Sequence, residues 1–103
     1  MHKTQGADRK YYKINYDQLV YIEGQKAYVT FFTQKGPITG LASLRDLMDK
    51  LPANQFLRIH KSYIVNIRKI DSLEGNAIEI GRKYLPIGKS YKKAVDDFFG
   101  LKE

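Results

Sequence analysis

At 103 residues and without cysteine, the chain reads as one cytoplasmic domain with a single core, closed to disulfides and thiolate metal sites. Its formal net charge is +7, and eight tyrosines with five phenylalanines suit a β-rich chain. No apolar run approaches the ~20 residues that span a bilayer and no signal-peptide pattern opens the chain, so no membrane is expected as a partner.

In chain order, residues 1–8 are polar and lack apolar alternation, which predicts a ragged or truncated start before a domain over 9–100 and a tail at 101–103. Arg9 to Asn15 has strand character with Tyr12 and Ile14 on one face. Asp17 is the expected cap of a helical turn before a strand at Leu19 to Glu23. Gly24-Gln25-Lys26 reads as a turn, Ala27 to Thr33 as the strongest strand, and Lys35-Gly36-Pro37 as another turn before a short strand.

Then the period changes. Leu44, Leu47, Met48 and Leu51 fall at helical spacing, with Ser43 at the start, Asp46 three residues on and Pro52 as the stop. The stripe is all core, so this helix is expected to pack and not to recognise. Phe56 to His60 alternates as a strand with one buried face, and Tyr63 to Asn66 is a second strand. Between them His60, Lys61 and Ser62 form a polar elbow braced at both ends, the arrangement that presents side chains in fixed geometry. Ile70 to Leu73 and Ala77 to Ile80 flank Glu74-Gly75-Asn76 as a hairpin, and Lys83 to Ile87 is an edge strand because of Pro86. A last helix follows Gly88-Lys89-Ser90, with Tyr91, Ala94, Val95 and Phe98 as its stripe and Gly100 as its end. The expected fold is mostly β, with seven or eight short antiparallel strands in small sheets and two short helices.

Catalysis has no constellation to work with: His2 lies in the polar start, His60 has no acid near it in sequence, and the glycines are scattered at turns. No enzyme, cofactor or metal is expected. Charge points elsewhere. Between Arg58 and Lys93 stand nine basic residues against three acids, an excess of six. Such a concentration suits a polyanion, nucleic acid first. Three connections mix basic and hydrogen-bonding side chains: Gln25-Lys26, His60-Lys61-Ser62 and Gly88-Lys89-Ser90. Lysine neutralises phosphate or donates to guanine, glutamine pairs with adenine, and serine suits phosphate. Gly88 is expected to allow close backbone approach, and the helix after it to offer free N–H groups to a phosphate.

The string Phe56 to Asn66 resembles the LytTR DNA-binding domain, supported by Leu19 to Glu23, Ser43-Leu44, Leu51-Pro52, Leu85-Pro86-Ile87 and Ser90-Tyr91. The resemblance runs from Tyr11 to Phe98. It implies stacked small antiparallel sheets and the output domain of a bacterial two-component response regulator, with a receiver domain upstream. It also implies loops inserted into successive major grooves at direct repeats in promoter DNA. Carried over, the contact loops are Gln25 to Tyr28, His60-Lys61 and Lys89 to Tyr91. The chain departs from the family in lacking a receiver and in an expected shortening of the first strand, as in an excised domain, monomeric alone and pairing on DNA. Lys61 and Lys89 are then expected at or beside bases, and Lys26, Ser62, Ser90 and Lys92 at phosphates. Arg58 and His60 are candidates for DNA contact, with a strand arginine bridging to a nearby acid as the structural alternative for Arg58, and Asn66 is expected as a turn or cap residue. The alternatives are a single-stranded nucleic-acid binder, favoured if Tyr11, Tyr12, Tyr28 and Phe32 share an exposed face, and a basic protein-interaction module.

Overall fold

The computed structural model describes residues 2–6 and 8–101. Ten strands and two helices are present among them: β1 (His2–Gln5), β2 (Tyr11–Ile14), β3 (Leu19–Gln25), β4 (Tyr28–Thr33), β5 (Gly36–Leu41), α1 (Leu44–Lys50), β6 (Phe56–His60), β7 (Tyr63–Asn66), β8 (Ile70–Glu74), β9 (Ala77–Ile80), β10 (Lys83–Pro86) and α2 (Lys92–Phe98). All strand pairings are antiparallel, in a two-stranded sheet β1-β2, a three-stranded sheet β10-β9-β8 and a five-stranded sheet β5-β4-β3-β7-β6.

The five-stranded sheet is the middle layer, and both its faces are buried. On one side Leu19, Ile22, Phe31, Phe56 and Ile64 pack with Ile14 of β2 and with Leu44 and Leu47 of α1. On the other Tyr21, Ile59 and Val65 pack with Ile78, Ile80 and Leu85 of the small sheet and Val95 of α2. Successive side chains alternate faces, so one strand serves two cores. The expectation of one buried face for Phe56 to His60 is therefore corrected. Phe56 enters the first core, whereas Leu57 and Ile59, of the opposite parity, face the second.

The polar start is not ragged. His2 to Gln5 pairs with Tyr11 to Ile14, and an isolated bridge joins Gly6 to Gly40 of β5. Its inward residues are His2 and Thr4, the latter 6% exposed, so alternation was hidden by polar residues doing apolar work. Met1 and Ala7 of that stretch, with Lys102 and Glu103 of the tail, lie outside the described residues.

Smaller corrections concern boundaries. Asn15, not Asp17, caps the turn before β3, its side chain accepting from the Asp17 N–H at 3.0 Å. The β3–β4 turn lies at Lys26-Ala27, one residue later than expected, and the β4–β5 turn at Gln34-Lys35. Ser43 caps α1 as expected, accepting from the Asp46 N–H at 3.1 Å. Asn66 is structural as expected: wholly buried, it donates to the Tyr16 and Leu19 carbonyls and accepts from the Arg68 N–H. In α2 the buried stripe differs. Val95 is buried and Phe99 packs on the second core, whereas Ala94 and Phe98 are exposed. A 3-10 turn at Lys89–Tyr91 precedes α2, and its three-residue repeat shifts the helical phase.

Candidate nucleic-acid interface

The three basic connections meet at one end of the five-stranded sheet, and the elbow joins them. From one side, the Gly24 N–H donates to the Ser62 carbonyl at 2.8 Å, tying the β3–β4 turn to the elbow. From the other, the Gly88 N–H donates to the Ile59 carbonyl at 2.7 Å, tying the turn before α2 to it. Both glycines are there for close approach. A Cβ on Gly24 would stand 2.8 Å from Leu44 of α1, and one on Gly88 would stand 3.0 Å from the Tyr91 ring and 3.4 Å from the His60 backbone. The space at Gly88 is thus occupied by the protein itself, which corrects the expectation that it opens the backbone to a ligand. The N–H groups of Tyr91 and Lys92 are likewise spent on the carbonyls of Gly88 and Lys89, not free for phosphate.

The elbow has its own internal frame. Arg58 donates from Nη2 to the Lys61 carbonyl at 2.8 Å and from Nε to the His60 carbonyl at 3.3 Å. Its guanidinium carbon also lies 5.6 Å from the centre of the Tyr91 ring. Arg58 therefore holds carbonyls of the elbow, in place of the neighbouring acid that was the structural alternative to a DNA contact. His60 Nδ1 accepts from the Ser62 N–H at 3.0 Å, which places the proton of the neutral ring on Nε2. The imidazole also sits 5.4 Å from the Tyr63 ring. Lys61, at the tip, is exposed.

Gln25, Lys26 and Tyr28 are exposed, and Lys26 adopts a φ of 43°, a conformation that costs a side-chain-bearing residue roughly 1–2 kcal/mol. Lys89 and Ser90 are exposed, and Lys92 is half-buried with its ammonium 3.2 Å from Asp96. Lys89 and Lys92 both border a hollow with Asn76. The ten residues singled out from sequence thus cluster, but Arg58, His60 and Lys92 already have protein partners.

A family model, the LytTr DNA-binding domain, matches residues 9–100. The chain belongs to that family. Over 105 residues it is 31% identical to the sensory transduction protein LytT of Enterococcus faecalis, covering 94% of this chain and 42% of that protein. It is 29% identical to an uncharacterised response regulatory protein of Vibrio cholerae over 83 residues, covering 72% of this chain and 32% of the relative. The chain therefore spans less than half the length of these relatives. In fold it superposes on the LytTr DNA-binding domain of a Bacillus cereus response regulator with a TM-score of 0.83, at 19% identity, covering 96% of this chain and 95% of the other.

One residue of this LytTr domain that sequence reading passed over is Arg45. It sits in the first turn of α1, exposed, beside Lys26, Arg58 and Lys61 in one cleft. The signal available was a lone cation in the first helical turn, where a carboxylate is the usual resident. Among the described residues no group of three or more His, Cys, Asp or Glu is placed to hold a metal, and no helix is long and apolar enough to cross a membrane.

Proposed function

We propose that this LytTr domain binds double-stranded DNA by sequence, as the cytoplasmic output domain of a bacterial response regulator, without a catalytic step. What carries the reading is the convergence of three basic connections on one elbow that is braced by backbone hydrogen bonds. Lys61 and Lys89, exposed on supported turns, are the base-reading candidates, with Gln25 and Tyr28 beside them. Lys26, Ser62 and Ser90 serve phosphates, and Lys92 does so once it gives up Asp96. Arg58 and His60 shape the elbow. In the natural protein a receiver domain upstream pairs two copies on repeated promoter sites, while the isolated domain stays monomeric.

The single-strand alternative draws no support from the aromatic residues. Tyr11 and Tyr12 lie in the two-stranded sheet, and the Phe32 ring stacks on Tyr21 at 4.4 Å over the second core. Of these four only Tyr28 stands near the elbow, so they do not form one shared stacking platform.

Selection from random duplex DNA tests the proposal, and a repeated half-site should be enriched. On that site Lys61→Ala or Lys89→Ala should cost on the order of 1–3 kcal/mol and flatten discrimination at particular base pairs. Selection without any enriched sequence would refute specific binding. Equal losses on preferred and scrambled duplexes would make the lysines phosphate clamps.

A further inference from the structure

The elbow stands between two clefts, and Lys61 is a wall of both. On the first-core side, the cleft is lined by Lys26, Ser43, Arg45, Arg58, Lys61 and Ser62 among others. On the second-core side, the other cleft is lined by His60, Lys61, Gly88, Lys89, Ser90 and Tyr91. No carboxylate lines either one.

We infer that the two clefts hold the two strands of one duplex: the elbow enters a groove, and the backbone on each side of that groove lies in one cleft. In this arrangement Arg45, with Ser43, is the phosphate ligand of the strand on the α1 side. The inference rests on the DNA-binding reading above and extends it to a helix whose residues that reading leaves out.

Four observations support it. Any ridge that enters a duplex groove has a sugar–phosphate backbone on either side, and this ridge has a cationic cleft on either side. Within the α1-side cleft, Arg58 spends Nε and Nη2 on the elbow carbonyls, whereas Arg45 is exposed and holds no ion pair among the described residues. A guanidinium with its donors uncommitted suits the two oxygens of a phosphodiester. Ser43 Oγ already accepts from the Asp46 N–H, and its own hydrogen is still available to donate to a phosphate oxygen. With Lys26 and Lys61 beside it, the cleft concentrates like charge that a bound anion relieves.

The test uses the domain and its preferred duplex with single phosphates replaced by neutral methylphosphonates, placed in turn on either strand beside the groove that the elbow enters. Arg45→Ala should weaken preferred and scrambled duplexes by the same factor, about three- to tenfold, and make the salt slope shallower by roughly one unit. Arg45→Lys should recover part of the loss. Neutralising the correct phosphate on one strand should weaken the wild type but not further weaken Arg45→Ala, whereas neutralisation on the opposite strand should weaken both alike. Arg45→Ala binding as tightly as the wild type, or showing the same coupling to both strands or to neither, would overturn the inference while leaving the DNA-binding reading in place. If the wild type fails to bind duplex DNA, that earlier reading fails instead. Because Arg45 is exposed, an unchanged melting temperature is expected and separates lost contact from lost fold.

Discussion

Asn66 closes the frame on which the elbow's second strand is built. Its side-chain amide donates to two carbonyls nearly fifty residues earlier, at 3.0 Å to Tyr16 and 2.7 Å to Leu19, while its oxygen accepts from Arg68. A buried group that satisfies three backbone partners leaves all three unpaired when removed, and each such loss costs about 1–3 kcal/mol before water relaxes into the site. Asn66→Ala should therefore lower unfolding free energy by about 2–4 kcal/mol, read by denaturant melts, with DNA contacts untouched in the fraction still folded. A loss under about half a kcal/mol would mean that the amide bonds are not what fixes this turn.

Among the elements, β1 tests how a strand is recognised. His2 rests on Phe31 with ring centres 5.5 Å apart, and burial together with the Lys50 charge holds its pKa below the ordinary 6.5. In the unfolded chain the imidazole takes a proton first as pH falls, so His2 supports stability that is complete above about pH 6.5 and is lost as pH drops through its lowered folded value. Unfolding free energies compared at about pH 7.5 and about pH 5 should show a smaller decline for His2→Phe than for the wild type. Equal declines would mean that folding does not hold the His2 imidazole neutral. The same strand marks the limit of legibility. The β6–β7 elbow, the β8–β9 hairpin and α1 were visible because their apolar spacing and turn residues agree. β1 was invisible because His2 and Thr4 face inward, and the apolar residues that would have announced a strand are absent from it. The α2 stripe was read in the wrong phase because a 3-10 turn ahead of the helix leaves no mark in spacing alone. For the site, the loops were legible by charge. Their meeting was not, since it depends on two backbone hydrogen bonds and on two glycines set against Leu44 and His60.

At the scale of the whole molecule, charge and shape set how the domain meets its ligand. A net charge of +7 on a body extending 47 × 23 × 21 Å gives a long-range attraction to DNA that salt screens. If four to six phosphates are neutralised, log K should fall against log salt with a slope of roughly −4 to −5 on the preferred duplex. The isolated domain should sediment as a monomer at micromolar concentration and bind paired sites more tightly when two copies are joined, through effective concentration alone. A flat salt response, single strands outcompeting duplex, or a tight dimer without DNA would each contradict this picture.

The Arg58 bonds to the carbonyls of His60 and Lys61 have a consequence for how such a protein changes over generations. They grip main-chain oxygens, which every amino acid carries, and so hold the elbow's shape whatever side chain stands at position 61. A single codon change there alters what the tip presents without disturbing how the tip is held. In the reading proposed for Lys61, sequence preference is then free to drift or be re-engineered at that position, while Arg58 and the two glycines are not.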